Sequence, residues 1–378
     1  MDSDFDIAII GAGIAGASLG YFLESGARVL LIEAESAPGY HTTGRSAAFW
    51  VATYGGRYIE PLTSASKPFF DAPPPGFGDA PLLGPRGGLH LAPPEGADDR
   101  DHEAATALED LEAEFAGSGL RFERYDTATL RARYPLLREA WATDAMLEPD
   151  SYDIDVARLH AGFLAGMRRR GASQVCDARV TALAHDGAGW RIGTTAGDFG
   201  AKTIVNAAGA WGDEIARLAG AKPLGLMPLR RTMVVLATDP PPPADLPVVL
   251  DAGGSFYFKP DAGRVWVSPH DEIADVPRDA APEEIDIAIA VDAFERACSL
   301  RVLRVERSWA GLRTFAPDRL PVYGYDGQVP GFFWCVGQGG FGIQTAPAAG
   351  ALAAALVEQR PAPFGLDAAN YAPTRFTR

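Results

Sequence analysis

Six residues near the N-terminus, Gly11-Ala12-Gly13-Ile14-Ala15-Gly16, restrict what this chain can fold into more than any other feature. They follow Asp6-Ile7-Ala8-Ile9-Ile10, an apolar run suited to a parallel strand buried on both faces. They open a stretch of helical spacing from Ile14 to Ser25, which Gly26 ends. Arg28-Val29-Leu30-Leu31-Ile32-Glu33 reads as a second strand, so the segment is a β-α-β unit. In such a unit the first glycine permits a tight turn and the second lets the backbone approach a pyrophosphate. The third brings helix and strand together. The helix N-terminus offers free N–H groups and a partial positive charge to the phosphates. Glu33, followed by Ala34, stands about 20 residues on, where an acid accepts from ribose hydroxyls. The unit is expected to bind a dinucleotide.

The 378 residues are too many for one ordinary core and fit two domains. A net charge of -15 argues against a nucleic-acid partner, because phosphate binding needs clustered Lys and Arg. The densest basic run, Arg168-Arg169-Arg170, reads as the solvated end of a helix. Cys176, Cys298 and Cys335 show no CxxC spacing and the histidines no HxxxH pairing, so neither a disulfide framework nor zinc is expected. Ile7 to Leu23 is almost uncharged and about as long as the shortest membrane span. Asp2, Asp4 and Asp6 precede it where a signal peptide carries basic residues, and its glycines fall at meaningful spacings. The expectation is a cytoplasmic protein without a transmembrane segment.

Further along, proline clusters at 73–75, 93–94, 240–243 and 361–363 mark loops. Helical patterns cover 103–116 and 156–170; alternating or β-branched stretches at 178–184, 190–192, 203–206, 232–237 and 255–268 predict strands. A polar, small-residue segment, Gly39-Tyr40-His41-Thr42-Thr43-Gly44-Arg45-Ser46-Ala47-Ala48, has no use in a domain that binds only NAD. Val205-Asn206-Ala207-Ala208-Gly209-Ala210-Trp211 ends a strand in small residues, as backbone passing close to a ligand requires. Phe332 to Val336 then leads into Gly337-Gln338-Gly339-Gly340-Phe341-Gly342. A helix is expected from Ile343 or Gln344 through Val357, with Pro347 in its first turn. Such a helix start favours the negative charge of a reduced flavin, although a plain glycine hinge is the alternative.

Taken together these segments resemble the D-amino acid oxidase and glycine oxidase superfamily, and within it the D-arginine dehydrogenase-like enzymes. The patches that carry the resemblance are GAGIAGAS (11–18), GYHTTGRSAA (39–48), VNAAGAW (205–211), PLGLMPLRR (223–231), SFYFKPDAG (255–263), WAGLRTFAPD (309–318) and GQGGFGIQT (337–345). The resemblance implies an α/β chain: a Rossmann-like FAD-binding domain from 1–48, 151–224 and 312–378, and a substrate domain on a mainly antiparallel sheet from 49–150 and 225–311. It implies noncovalent FAD held by Gly11, Gly13, Ile14, Ala15, Gly16, Glu33, Ala34, Thr42, Thr43, Gly44, Arg45, Ser46, Ala47, Ala48, Val180, Ala208, Gly209, Trp211, Gly311, Arg313, Gly339, Gly340, Gly342, Ile343 and Gln344. Oxygen or a quinone would accept the electrons.

For the substrate, the resemblance implies a carboxylate clamp of Arg313 and Arg231; a guanidinium fork suits a carboxylate and keeps its proton. Either arginine is equally suited to an ion pair between domains. Tyr54 and Tyr257 match cavity-lining tyrosines, and Gly340 with Gln344 matches groups that hold the amine, with Gln344 alternatively capping its own helix. The reaction implied is hydride loss from the carbon next to a neutral amine of a D-amino acid; the imine then hydrolyses to a 2-oxo acid and ammonia. Glycine, sarcosine or another N-alkyl amine is the alternative substrate, and a non-catalytic flavoprotein the alternative class. Two positions depart from the D-arginine pattern. Phe49 replaces a histidine, and Gly88, two residues before His90 on a predicted strand, replaces the acid that meets the guanidinium. Neutral side chains are therefore expected to be preferred.

Overall fold

The computed structural model describes residues 5–93 and 106–376. The first strand, Phe5–Ile10, lies in the middle of a parallel array, between Val29–Ile32 on one side and Gly197–Asn206 on the other. Ser173–Val175 extends the array past Val29–Ile32, and Phe332–Val336 extends it past Gly197–Asn206. Val180–His185, Trp190–Thr194 and Val322–Tyr325 add antiparallel partners, giving eight strands among the described residues. Ile7 to Ile10 and Val29 to Ile32 are buried throughout, as strands covered on both faces must be. Helices Ile14–Phe22, Val156–Arg169 and Ala346–Val357 cover one face, joined by a core that includes Ile9, Leu19, Phe163 and Leu352.

A second sheet of nine strands runs from Ile273–Ala274 at one edge to Glu123–Asp126 at the other. Its pairings are antiparallel except Gly88–Leu91 on Val248–Asp251. The fold is therefore the α/β type the sequence implied, with a second, mainly antiparallel unit. Helix Glu284–Ala297 covers this sheet through Ala290, Ala293, Phe294 and Ala297, which join a core with Phe256 and Phe258. A capping box between Glu283 and Asp286 starts the helix. Two long strands, Met227–Asp239 and Arg301–Phe315, pair along their whole length. The boundary expected at 311/312 falls inside the second of them.

Some elements differ from their expected limits. The first helix ends at Phe22 rather than Ser25, because Leu23 is already extended. The last helix begins at Ala346, not at 343 or 344; residues 339–345 form turns, and Pro347 sits in the first helical turn. The helix expected over 103–116 is Ala107–Glu114, and residues 103–105 lie outside the described residues. Among the described residues, no helix is long and apolar enough to cross a membrane.

Candidate active site

The strand ends of the parallel sheet open onto a groove. Two cavities of about 210 and 120 Å³ share Gly13, Thr42, Thr43, Ala207 and Gly209, so they adjoin along the groove. Absent side chains shape it. A Cβ on Gly11 would sit 2.4 Å from the Ala207 carbonyl oxygen, and one on Gly16 only 2.0 Å from that of Gly11. Gly11 also has φ +103°, a conformation that side chains disfavour. At the helix start, Thr43 Oγ1 accepts from Ile14 N–H at 3.0 Å and so satisfies one of the free donors of the first turn. Glu33 is buried at the end of its strand and holds the glycine turn by accepting from Ala12 N–H at 3.0 Å. Its other oxygen accepts from Glu35 N–H, and each oxygen keeps a lone pair.

The first cavity is lined further by Ala34, Val180, Ala208 and Trp211, all expected there, and by Glu35 and His41, which sequence reasoning did not assign. His41 packs on Trp211 at 4.7 Å and bonds Glu35 at 3.0 Å. The second is lined by Ile14, Ala15, Arg45, Ser46, Ala47, Gly311, Arg313, Gly339, Gly340, Gly342 and Ile343. Thr42 Oγ1 donates to the Leu312 carbonyl at 2.7 Å, and Arg45 Nη1 donates to the Ala280 and Ala310 carbonyls. These bonds fasten the 42–46 segment to the second sheet. Gly16, Gly44 and Ala48 stand behind the wall rather than on it. Cys335 is buried in its strand, which pushes its thiol up to about 12 and makes it a poor nucleophile.

At the far end of the groove two arginines meet. Arg231 pairs across the long strands with Gly311, two residues before Arg313, so both side chains leave the same face. Arg313 donates to the hydroxyls of Tyr54 and, at 3.4 Å, Tyr257. Arg231 donates from Nε to the Asp271 carbonyl at 2.7 Å and from Nη2 to Glu272 at 3.3 Å. Its Nη1 is buried without a partner. Burial and the charge of Arg313 lower the proton affinity of Arg231. Its neighbour Arg230 points to the other face, where it binds Glu283 and, at 2.9 Å, Asp286. Gly340 keeps this corner open, since a Cβ there would lie 2.6 Å from the Tyr54 hydroxyl.

His270, which no motif singled out, stands beside the arginines with φ +52°. Its Nδ1 donates to the Gly254 carbonyl at 2.7 Å, and its ring meets Tyr257 edge-on. Burial first, then the charges of Arg231 and Arg313, bring it down to about 3, so the ring is neutral.

Beyond Tyr54 and Tyr257 lies a third cavity of about 670 Å³, walled by His90, Trp141, Leu250, Phe256 and His270. Three expectations about this region need correction. Phe49 is not on a cavity wall; it packs behind Tyr54 and Tyr257, with ring centroids 5.8 and 5.4 Å away. Gly88 is also off the wall: a Cβ there would point towards Ser151, 3.0 Å from its Oγ, with the Glu148 Cβ 3.8 Å away. Nor is the neighbourhood free of acids: Glu148, opposite Gly88 on the adjacent strand, is buried 3.5 Å from His90 Nε2. The Gln344 amide faces neither the cavity nor its own helix. It donates to the Tyr54 carbonyl and Thr63 Oγ1, and accepts weakly from Val51 N–H.

A family model described as "FAD dependent oxidoreductase" (DAO) matches residues 6–356. The chain belongs to this family. FAD is its cofactor, and the glycine-lined groove has the backbone character such a ligand requires. Hydrogen cyanide synthase subunit HcnC of Pseudomonas aeruginosa is 25% identical over 417 residues, covering 100% of this chain and 97% of that protein. Human mitochondrial dimethylglycine dehydrogenase is 27% identical over 241 residues, 57% of this chain and 27% of its own. Among solved structures, glycine oxidase from Geobacillus kaustophilus superposes with a TM-score of 0.83 at 22% identity, covering 98% of each chain.

Proposed function

We propose that this FAD-dependent oxidoreductase oxidises the carbon bearing the amine of an amino acid held by its carboxylate between Arg313 and Arg231, and that D-amino acids with large neutral side chains are its best substrates. The observation that carries the reading is Arg231 Nη1, buried and unpaired beside a second guanidinium that bonds only phenols. Arg231 reaches the carboxylates of Glu272 at 3.3 Å and Asp271 at 3.8 Å, but its Nη1 stays unpaired, and a bound carboxylate would bond that atom and Arg313 together. Tyr54 and Tyr257 add hydroxyls to that anion while their rings keep water out. In this reading Gly11, Gly13 and Thr43 would hold the pyrophosphate of FAD, Glu33 its ribose, and Gly339 with Gly340 its flavin end. When bound, FAD supplies the two-electron acceptor. The chain contributes orientation and charge: the clamp fixes the amine-bearing carbon, and the amine must be unprotonated before the carbon can release a hydride.

The wall of the third cavity favours large, neutral side chains. Asp251 lines it but accepts from Gly253 N–H and Ser255 N–H, and at the rim Glu114 accepts from the backbone N–H of Arg57 and Asp110 from Thr106 Oγ1. Glu60, in the first turn of the helix after Tyr54, accepts from Ser64 and does not line the cavity. A guanidinium entering would lose water and compete with the backbone and hydroxyl donors that already hold these carboxylates. The likeness to dimethylglycine dehydrogenase favours a second reading, an N-alkyl amino acid. Flavin bleaching under argon separates them. D-phenylalanine, D-methionine and D-leucine are expected to bleach faster than D-arginine, L-amino acids, sarcosine or dimethylglycine. Bleaching by sarcosine alone would select the second reading; a preference for D-arginine would refute the side-chain argument and leave the clamp standing.

A further inference from the structure

The Tyr54 hydroxyl reaches Arg313 from a short segment, Val51 to Tyr54, that is not part of a helix or strand. Its position depends on what holds that segment, and two buried side chains do so from opposite sides. From the turn before the last helix, Gln344 accepts from Val51 N–H at 3.4 Å and donates to the Tyr54 carbonyl at 3.1 Å. From the end of the Asp144–Glu148 strand, Glu148 accepts from Ala52 N–H at 2.7 Å and from Thr53 Oγ1 at 2.8 Å. Both side chains are 2% exposed. Four consecutive residues are thus bonded by a carboxamide and a carboxylate that the sequence places 196 residues apart, from 148 to 344. A buried carboxylate is costly unless its bonds are made, so Glu148 is an improbable filler at this site. Glu148 also faces His90, which lines the third cavity, so the same carboxylate touches the wall of the side-chain space.

We infer that Glu148 is a positioning residue of the carboxylate clamp: it acts through the 52–53 segment to set the Tyr54 hydroxyl against Arg313, and it does not touch substrate itself. The inference rests on the reading of Arg313 and Tyr54 as carboxylate ligands. Losing the bracket frees Tyr54 to leave Arg313, which weakens binding of any carboxylate and leaves the FAD groove intact.

The test uses the FAD-loaded enzyme, with benzoate as a probe read by the change in flavin absorbance. Glu148→Ala is expected to raise the benzoate Kd about tenfold or more, the scale of a lost hydrogen bond to a charged group. Thr53→Val, which removes one of the two bonds, should raise it a few-fold, with FAD content unchanged in both. Glu148→Gln should restore most of the affinity, since a carboxamide accepts from Ala52 N–H and donates to Thr53 Oγ1. A merely structural role would give a different pattern from the double mutants. Combined with Tyr54→Phe, either variant should add almost nothing, because the effect passes through that hydroxyl. Should Glu148→Ala fail to fold, the Thr53→Val and Tyr54→Phe cycle decides alone. Full additivity, or wild-type affinity in Thr53→Val and Glu148→Ala, overturns the inference. If Tyr54→Phe by itself leaves the benzoate Kd unchanged, the clamp reading fails first, and that failure is visible separately.

Discussion

The FAD groove and the arginine clamp adjoin each other, yet they are made of different material. The groove is mostly backbone: Gly11, Gly13, Ala207, Ala208, Gly209, Gly339 and Gly340 contribute peptide groups and close approach. The clamp is entirely side chain, with two guanidiniums, two phenols and an imidazole arriving from five separate segments. A backbone site is fixed by local geometry and tolerates little added volume. A side-chain site carries buried charge, so it is sensitive to what pairs with that charge and to pH.

The greatest effect is expected where the backbone that forms the groove is pushed from behind. In Gly16→Val the new Cβ would lie 2.0 Å from the Gly11 carbonyl, a contact that only a shift of the glycine turn can relieve. The protein should purify without FAD, and adding FAD should not restore its absorbance. Full FAD occupancy in this variant would mean that the groove is more plastic than its geometry implies.

Neighbouring arginines sharpen the contrast further. Arg230 is matched by Glu283 and Asp286, so Arg230→Met leaves Asp286 buried and unpaired. That should cost about 3–5 kcal/mol of stability, seen as a large drop in Tm. Arg313→Met and Arg231→Met should do the reverse. Removing one partner of the substrate carboxylate costs about 2–5 kcal/mol in kcat/KM. Stability should fall less than in Arg230→Met, because Arg231 is more loosely matched: Glu272 is partly exposed at 3.3 Å, the Asp271 carboxylate is 3.8 Å away, and a second cation adjoins it. Equal losses of Tm in all three variants would show that the clamp arginines are structural.

The same division explains what could be read from the sequence. Gly11 to Gly16, Glu33 and the Ala207–Trp211 strand end were legible because a backbone site is built from contiguous residues with a spacing rule. Arg231 and Arg313 were named through family resemblance, since nothing local distinguishes Arg231 from Arg230. Only the pairing of two distant strands shows which faces the cavity. His270 and Glu148 were missed for the same reason: each lies in an unremarkable segment, and long-range packing alone gives it a role. Gly88 misled because strand alternation gives a side but not a neighbour, and that side holds Glu148 and Ser151. The last helix was extended too far back because Gly342 to Thr345 already turn in helical fashion, with Thr345 N–H bonding the Phe341 carbonyl.

The smallest effect concerns two histidines, one in each region: His160, buried, and His270, half-buried on the cavity wall. His160 packs beside the groove and donates from Nε2 to the Ala12 carbonyl at 2.8 Å; burial lowers its pKa. His270 stands beside the clamp, where burial and then Arg231 and Arg313 bring it down to about 3. Below pH 6.5 the unfolded chain takes up a proton on each histidine that the folded chain refuses. Stability is therefore complete above pH 6.5 and falls as pH drops, continuing for His270 to about pH 3. At pH 5 the His270 share is about 2 kcal/mol, 1.36 kcal/mol for each of roughly one and a half pH units. In urea unfolding at pH 7.5 and pH 5, His270→Gln should lose less stability between the two pH values than wild type, by about that amount. His160→Gln should recover less, because no buried cation repels its proton. A carboxylate on the clamp offsets the two charges, so saturating benzoate should narrow the difference for His270 and leave His160 unchanged. Were both histidines to behave alike, with and without benzoate, the clamp would not be the charged site described here.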